Sequence, residues 1–149
     1  VRGLGVTLVH HGGDPAAMGL TAPEGVVVAG PYALEELDRV FATFDLLAVP
    51  SVWPENYPMV VPEAFARGRA VTASAVGGIP EMVRDGVDGL LLPPGDVAAW
   101  AAAWERLATD PGLRARLAAG VEPPRWADEH AAEMESLYRE AIAWRRGGR

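Results

Sequence analysis

Short apolar runs alternate with helical patterns through the first two thirds of the chain. The runs cover residues 6–9, 26–29, 45–49, 70–73 and 90–92, and most of their residues are Val, Leu or Ala. Runs this continuously apolar are typical of parallel strands that are covered on both faces. Because helical patterns separate several of these runs, the chain is predicted to form an α/β fold with a parallel sheet.

The segments between the runs carry signals for helices. The first helical segment has acidic residues early, where the helix dipole favours anions, and apolar residues at helical spacing: Leu34, Leu37, Val40, Phe41 and Phe44. A second helix is predicted after the run at 45–49, and Gly68 ends it. Pro80 is well placed to begin a short third helix after the turn Gly77–Gly78.

Beyond residues 93–95 the pattern is helical only. Asp96 is a good N-cap for a helix whose predicted buried stripe is Val97, Trp100, Trp104 and Leu107. Leu113 and Leu117 predict a brief helix, residues 120–124 a joint, and residues 147–149 a frayed end. The last predicted helix carries one stripe at spacings of three and four: Trp126, His130, Met134, Leu137, Ala141 and Trp144.

Composition excludes several classes of protein. The chain has 149 residues and a net charge of −7, and all of its basic residues are arginine. An acidic chain without a basic patch is a poor nucleic-acid binder, because neutralising phosphates needs clustered cations. Cysteine is absent, no apolar run approaches a membrane span, and residues 1–3 do not resemble a signal peptide. A cytoplasmic protein is expected, and the lysine-free, Ala- and Arg-rich composition resembles bacterial proteins from high-GC genomes.

Glu55 and Glu63 form the constellation with the clearest chemistry. Pro62 is tolerated only in the first turn of a helix, so the helix should begin near Met59 or Val60. Side chains on a helix lean toward its N-terminus, so the Glu63 carboxylate is expected to point over the opening that Glu55 borders from the loop. The amides near the helix start are predicted to face the same opening and to suit a phosphate. Taken alone, the pair is also compatible with two solvated carboxylates at a helix start.

A series of motifs extends this pattern in both directions. In order they are Val28-Ala29-Gly30, Phe44 to Ser51, Glu55 through Glu63-Ala64, Gly68 to Val71, Gly77 to Val83, Asp85-Gly86, Gly89 to Leu91, and Pro93 to Asp96. From Val26 to about Leu117 the chain resembles the donor-binding C-terminal domain of the retaining, GT-B fold glycosyltransferases of family four, whose members carry Glu-x7-Glu. The resemblance implies a Rossmann-like three-layer sandwich with a parallel sheet, followed by C-terminal helices.

The resemblance also implies an activity. Members transfer a hexose from a nucleotide-diphosphate sugar to an acceptor hydroxyl of a glycan, lipid or small molecule, with retention of anomeric configuration. The leaving diphosphate is commonly described as helping to deprotonate the acceptor, so no metal and no cofactor are expected. The sequence contains no cluster of residues with metal-ligand spacing either.

Roles for individual residues follow from the same resemblance. Glu63 would accept hydrogen bonds from the ribose hydroxyls, and Glu55, the expected catalytic residue, would bind and orient the donor sugar. The diphosphate and sugar would be held by Asn56, Tyr57, Met59 and Val60. The base would be bordered by Gly30, Pro31 and Tyr32. Gly77 and Gly78 would be either a loop of the donor site or only a turn.

The chain departs from the family pattern in ways that bear on activity. Asn56 and Pro58 stand where many members have glycine, and Pro58 has no amide to offer. The family places an arginine and a lysine on the diphosphate from a loop after its first strand, whereas this chain has no lysine and its first run resembles the family's second strand. Residues 1–122 are therefore expected to be a donor-binding domain lacking its first strand-helix unit. Residues 123–149 are expected to pack toward an absent N-terminal acceptor domain, so the chain alone should be inactive.

Other readings of the same residues remain open. A GT-B fold epimerase or glycan phosphorylase would share the fold, although a phosphorylase needs a lysine for pyridoxal phosphate. A non-catalytic domain that binds nucleotide-sugar or a partner is the alternative outside enzymes, and a receiver domain would need an acidic cluster and a lysine. Trp53 is expected to pack against the protein, and His10 and His11 are expected to lie at the surface.

Overall fold

The structure is a computed structural model that describes residues 3, 5–13, 16–17, 21, 24–125 and 127–147. Its order of elements confirms the alternation that the sequence predicts for residues 26–92, where strands and helices alternate; helices alone follow. Among the helices described, none combines the length and the apolar character that crossing a membrane requires.

The strands form two parallel sheets rather than one. In the first sheet β1 (Leu8–His11) pairs with β2 (Val26–Gly30), in register from Leu8 opposite Val26. In the second sheet the order is β3 (Leu46–Val49), β4 (Ala70–Ser74) and β5 (Gly89–Leu92), all parallel. All the strands predicted from the apolar runs are present, with ends that shift by one or two residues.

A cavity of about 680 Å³ separates the two sheets. Its walls include residues 5–9 from β1 and the chain before it, residues 43–46 and 48 around β3, and Trp104 and Leu107 from below. The strands of the first sheet are also open to solvent: the side chains of Val27 and Val28 are 51% and 38% exposed. The prediction that every strand is covered on both faces is wrong for β1 and β2, and it holds for β4, which is buried throughout.

The helices lie where the sequence places them, with two corrections. They are α1 (Leu37–Phe41), preceded by a 3₁₀ turn (Leu34–Glu36), α2 (Val60–Phe65), α3 (Ile79–Met82), α4 (Val97–Thr109), α5 (Pro111–Gly120) and α6 (Ala127–Gly147). The first predicted helix is thus short, and Phe44 lies beyond its end. Val97 is 80% exposed, so it does not belong to the buried stripe of α4, because it lies in the first turn before the helix meets the sheet.

Two apolar clusters cover the two faces of β4, as successive side chains of a strand require. Val71 and Ala73 pack with α2 and α3 in one cluster, and Ala70 packs with α4 and α5 in the other. On the second face Trp104 Nε1 donates to Thr72 Oγ1 at 3.3 Å. This arrangement is the predicted three-layer sandwich, with the sheet between two layers of helix.

The last helix lies apart from these clusters. No residue of α6 is buried, and its large apolar side chains are among the most exposed, with Leu137 at 52%, Ile142 at 51% and Trp144 at 82%. The prediction that this part of the chain is helical is confirmed. Two parts of these predictions lie outside the described residues: Trp126 of the predicted stripe, and residues 148–149 of the predicted frayed end.

Candidate functional site

The junction between β3 and α2 carries the candidate site. β3 ends at Val49, and α2 begins at Val60 with Met59 as its N-cap, which confirms the start predicted from Pro62. Pro62 lies in the first turn, where its missing N–H removes no helical hydrogen bond. The turn is closed by Val61 N, which donates to Pro58 O at 3.0 Å, and by Glu63 N, which donates to Met59 O at 3.1 Å.

Glu55 lies in the loop and is held by a side chain that the sequence analysis did not single out. Ser51 Oγ donates to Glu55 Oε1 at 2.9 Å. Ser51 is 8% exposed at the end of β3, whereas Glu55 is half-buried. One carboxylate oxygen is therefore engaged by the protein, and this fixes the direction of the side chain. A serine four residues before a glutamate in a loop has no periodic signal that would have revealed the contact.

Glu63 borders a groove of about 400 Å³, and Glu55 is not among the residues that line it. The expectation that both glutamates border one opening is therefore not met by this groove. Tyr57 and Met59 line the same groove, and both are exposed by more than half. No hydrogen bond or salt bridge to the Glu63 carboxylate is present within the described part of the chain, although the Glu63 carbonyl accepts from Arg67 Nη1 at 2.9 Å. The carboxylate is available as an acceptor for hydroxyl groups that enter the groove.

The cations beside this groove are already paired with carboxylates. Arg67 Nε lies 2.7 Å from Asp38 Oδ1, and its guanidinium carbon lies 5.1 Å from the centroid of the Phe41 ring. Arg125, also on the wall of the groove, forms an ion pair with Glu133. These pairings leave both arginines with acidic partners in the structure as it stands. Within the residues described, no group of three or more His, Asp or Glu side chains could hold a metal ion.

Gly77 and Gly78 lie directly against the backbone of the Glu55 loop. Gly78 N donates to Glu55 O at 2.7 Å. A Cβ atom on Gly77 would lie 2.2 Å from Glu55 O, and one on Gly78 would lie 2.1 Å from Asn56 O. The two glycines are therefore neighbours of the candidate site, and they form the turn before α3. A contact of these glycines with a donor stays a prediction.

The segment predicted to border the base follows β2. Gly30 has a φ of 78°, and its carbonyl accepts from Gly12 N at 2.9 Å. The Tyr32 ring meets the His11 ring edge-on, with centroids 6.1 Å apart. His11 is half-buried between Tyr32 and Phe44, so the expectation of a surface histidine holds for His10 and is wrong for His11. The contacts found for this segment are with His11 of β1 and with Gly12, and none with Glu63 is present among the described residues.

The remaining predicted residues divide between the core and the surface. The Val60 side chain packs against the core cluster, so only its backbone is available to a ligand. Asn56 and Tyr57 are exposed, and the backbone amides of Met59 and Val60 have no acceptor in the described structure.

Pro31 is exposed beside Tyr32. Trp53 is 60% exposed, so the expectation that it packs against the protein is wrong; the loop carries it away from the core.

Among the described residues two groups have a shifted pKa, and both lie outside the site. Hydrogen bonds from the Ala33 amide and then from Arg39 lower the pKa of the Glu36 carboxyl below its usual range. Hydrogen bonds to Asp88 and then Glu122 raise the pKa of the Arg84 guanidinium. Both arrangements are structural: the first closes the 3₁₀ turn before α1, and the second ties the chain before β5 to the end of α5.

Comparison with known proteins identifies relatives for most of the chain. The family described as "Glycosyl transferases group 1" matches residues 2–110. A D-inositol 3-phosphate glycosyltransferase of Mycobacterium ulcerans is 40% identical over 86% of the chain, and one of Salinispora arenicola is 38% identical over 86%. The chain spans 29% of the length of each of these relatives.

Solved structures share the same fold. HepE of Anabaena, solved in complex with UDP, superposes on 78% of the chain with a TM-score of 0.67 and 27% identity, over 35% of its own length. Sucrose-phosphate synthase of Thermosynechococcus elongatus superposes on 92% of the chain with a TM-score of 0.73 and 29% identity, over 39% of its own length. The α/β architecture with its C-terminal helices thus matches part of the GT-B fold. The chain belongs to the group 1 glycosyl transferases.

Proposed function

We propose that this chain is the donor-binding part of a retaining glycosyltransferase, which moves a hexose from a nucleotide-diphosphate sugar to an acceptor hydroxyl. The observation that carries the proposal is the β3–α2 junction. There, Glu63 on α2 presents to a groove a carboxylate that has no hydrogen-bond or ion-pair partner among the described residues, and Glu55 lies in the loop before α2 with its carboxylate oriented by Ser51. Similarity to HepE, which is solved in complexes with UDP and with UDP-glucose, supports the same assignment.

Each carboxylate has a separate role in this proposal. Glu63 accepts hydrogen bonds from the ribose hydroxyls, because an ionised carboxylate offers acceptors to two neighbouring donors. Glu55 accepts from hydroxyls of the donor sugar and sets the anomeric carbon toward the acceptor. The diphosphate lies over the chain from Asn56 to Val60, where the amides of Met59 and Val60 have no acceptor in the described structure. The base lies toward residues 30–32.

The chemistry of transfer needs little from the side chains themselves. The bond from the anomeric carbon to the diphosphate oxygen breaks, and the acceptor oxygen forms its new bond on the same face of the sugar. The proton of the acceptor hydroxyl goes to the departing diphosphate, so the proposal calls for no metal and no cofactor. The protein contributes by orienting the reactants, an effect that can account for a large part of an enzymatic rate.

The names of the relatives suggest which substrates to try first. UDP and UDP-glucose are the first donors to test, since HepE is solved with both. An inositol phosphate is the first acceptor to test, because the curated relatives are named D-inositol 3-phosphate glycosyltransferases. The acceptor is proposed to bind mainly to a part of a longer protein that lies outside this sequence.

The domain arrangement is part of the same proposal. Residues 1–122 would form one donor-binding unit whose sheet is completed by a further strand between β1 and β3. The cavity of about 680 Å³ between the two sheets supports this, since strands of both sheets line it. Residues 123–149 would pack against the acceptor domain through the exposed apolar side of α6, where Trp144 is 82% exposed.

Ligand-observed NMR tests donor binding, because it detects weak complexes. UDP, GDP, ADP and dTDP would each be added to the chain and to Glu63→Ala. We expect UDP to bind the parent. Hydrogen bonds to a charged group contribute roughly 1.5–3 kcal/mol, so Glu63→Ala should weaken binding about 10-fold or more.

The matched control is Glu105→Ala, which removes the same charge from an exposed position on α4. This variant should bind UDP as the parent does. Equal loss of affinity in both variants would mean that net charge, rather than the groove at Glu63, governs binding. Absence of binding by every nucleotide at millimolar concentration would remove the proposed donor site from this chain.

A further inference from the structure

The turn that precedes α3 touches the Glu55 loop more closely than any side chain would allow. Gly78 N donates to Glu55 O at 2.7 Å. A Cβ atom on Gly78 would lie 2.1 Å from Asn56 O, and a Cβ atom on Gly77 would lie 2.2 Å from Glu55 O and 2.7 Å from Glu55 N. Only glycine leaves room for the two backbones to approach in this way.

The turn is itself fixed to the centre of the fold. Ala75 N donates to Leu92 O at 2.7 Å, and Val76 N donates to Ser74 O at 2.9 Å, so the chain leaving β4 is tied to β5 and to its own strand. Ile79, the first residue of α3, is fully buried in the core cluster. The backbone of Glu55 therefore contacts, through the two glycines, a turn that is anchored in the core.

A second contact fixes the side chain of Glu55. Ser51 follows β3 and is 8% exposed, and its Oγ lies 2.9 Å from Glu55 Oε1. The backbone of Glu55 is thus held from the β4–α3 turn, and its carboxylate from the end of β3. Two rigid neighbours determine where the carboxylate lies, although Glu55 is itself in a loop.

We propose that Ser51, Gly77 and Gly78 are positioning residues that set the Glu55 carboxylate for the donor sugar. The proposal rests on the proposed function and adds a division of labour to it. The nucleotide is bound through Glu63 on α2, which Gly77 and Gly78 do not hold. Loss of the positioning residues therefore weakens contact with the sugar and leaves contact with the uridine.

Gly78→Ala is the main test variant. The φ of Gly78 is −83°, which alanine adopts without strain, so the substitution tests the close approach alone. Ordinary contact begins at 3.4 Å, so a Cβ at 2.1 Å from Asn56 O requires a displacement of about 1.3 Å. Misplacement by about 1 Å is enough to lower the effectiveness of a catalytic group about 100-fold.

Ser51→Ala is the second variant, and it removes the hydroxyl without crowding the loop. Ser51→Thr keeps the hydroxyl and should preserve the parent behaviour. Gly147→Ala is the matched control for the glycine substitution, because a Cβ there meets nothing within 4 Å. Circular dichroism of each variant would establish that it is folded.

Saturation-transfer NMR with UDP-glucose as the ligand measures the effect within a single molecule. The signal of the glucose protons is divided by the signal of the uridine protons. We expect this ratio to fall at least twofold in Gly78→Ala and Ser51→Ala, while the uridine signal persists. The ratio should match the parent in Ser51→Thr and Gly147→Ala.

The outcomes separate the two proposals. If the parent contacts both sugar and uridine and the ratio is unchanged in Gly78→Ala and Ser51→Ala, the positioning role is refuted and the proposed function stands. A fall of the same size in Ser51→Thr would refute the role of the Ser51 hydroxyl. No saturation transfer to UDP-glucose from the parent would overturn the proposed function together with this inference.

Discussion

Replacing Ile79 by alanine should destabilise the fold by about 3–4 kcal/mol. Ile79 is fully buried in the cluster between the sheet and α2. The substitution removes three carbon atoms, and burial of each contributes about 0.8 kcal/mol, or about 2.4 kcal/mol together. Incomplete collapse around the space that is left adds a cavity term, which brings the expected loss into the range of roughly 2–5 kcal/mol seen for such substitutions.

Urea denaturation followed by tryptophan fluorescence would measure this change. The free energy of unfolding is extrapolated to water from the transition of each variant. Ile79→Val, which removes one methyl group, should lower it by about 0.5–1.5 kcal/mol. Val97→Ala is the control, because Val97 is 80% exposed, and its effect should stay within about 0.5 kcal/mol.

A loss below about 1.5 kcal/mol in Ile79→Ala would refute the reasoning. Such a result would mean that the site around Ile79 relaxes easily, and that the turn at Gly77–Gly78 is not anchored by the core as the packing indicates. An equal effect of Ile79→Ala and Val97→Ala would have the same meaning.

Two further predictions concern the ends of helices. Glu36 has a lowered pKa in the folded chain, so its contribution to stability is present above the usual value of 4.5 and is lost as the pH falls through the lowered value. Glu36→Gln should therefore lessen the acid dependence of the urea midpoint below pH 4.5. An unchanged pH profile would contradict this prediction. Asp96 Oδ1 accepts from Ala99 N at 3.0 Å. Asp96→Ala should therefore cost about 1 kcal/mol in urea denaturation, whereas Asp96→Asn should cost much less, and equal losses would speak against the cap.

The start of α2 could be predicted from the sequence because its signal is local. Pro62 restricts the helix start to a narrow range of positions, and the structure confirms Met59 as the N-cap. The order of strands and helices could be predicted for the same reason, since each apolar run and each proline or glycine acts within a few residues. These signals depend on the backbone of one segment and not on its neighbours in space.

Whether a strand or helix is buried could not be predicted from its own residues, because burial depends on which other elements pack against it. The runs at 26–29 and 70–73 look alike in sequence, yet Val27 is 51% exposed and Val71 is fully buried. β4 lies between two neighbouring strands and two layers of helix, whereas β2 has β1 as its pairing partner in the described structure. The period of α6 likewise predicts a helix without showing that its apolar side is exposed.

The contacts that hold the Glu55 loop in place could not be predicted from the sequence either. The pair Gly77–Gly78 indicates a turn, but nothing local shows that the turn presses on Glu55 and Asn56, more than twenty residues earlier. The hydrogen bond from Ser51 to Glu55 depends on the path of an irregular loop. Glu55 and Glu63 could be named as candidates from the series of motifs around them, and the residues that hold Glu55 could not.

Mapping of UDP binding on the isotopically labelled chain tests the central claim most directly. Amide resonances in a proton–nitrogen NMR spectrum would be followed as UDP is added. Binding at the β3–α2 junction predicts saturable shifts that are largest at Asn56, Tyr57, Met59, Val60 and Glu63. Absence of saturable shifts at millimolar UDP, or largest shifts at residues 5–9 beside the cavity between the two sheets, would contradict the assignment of the donor site.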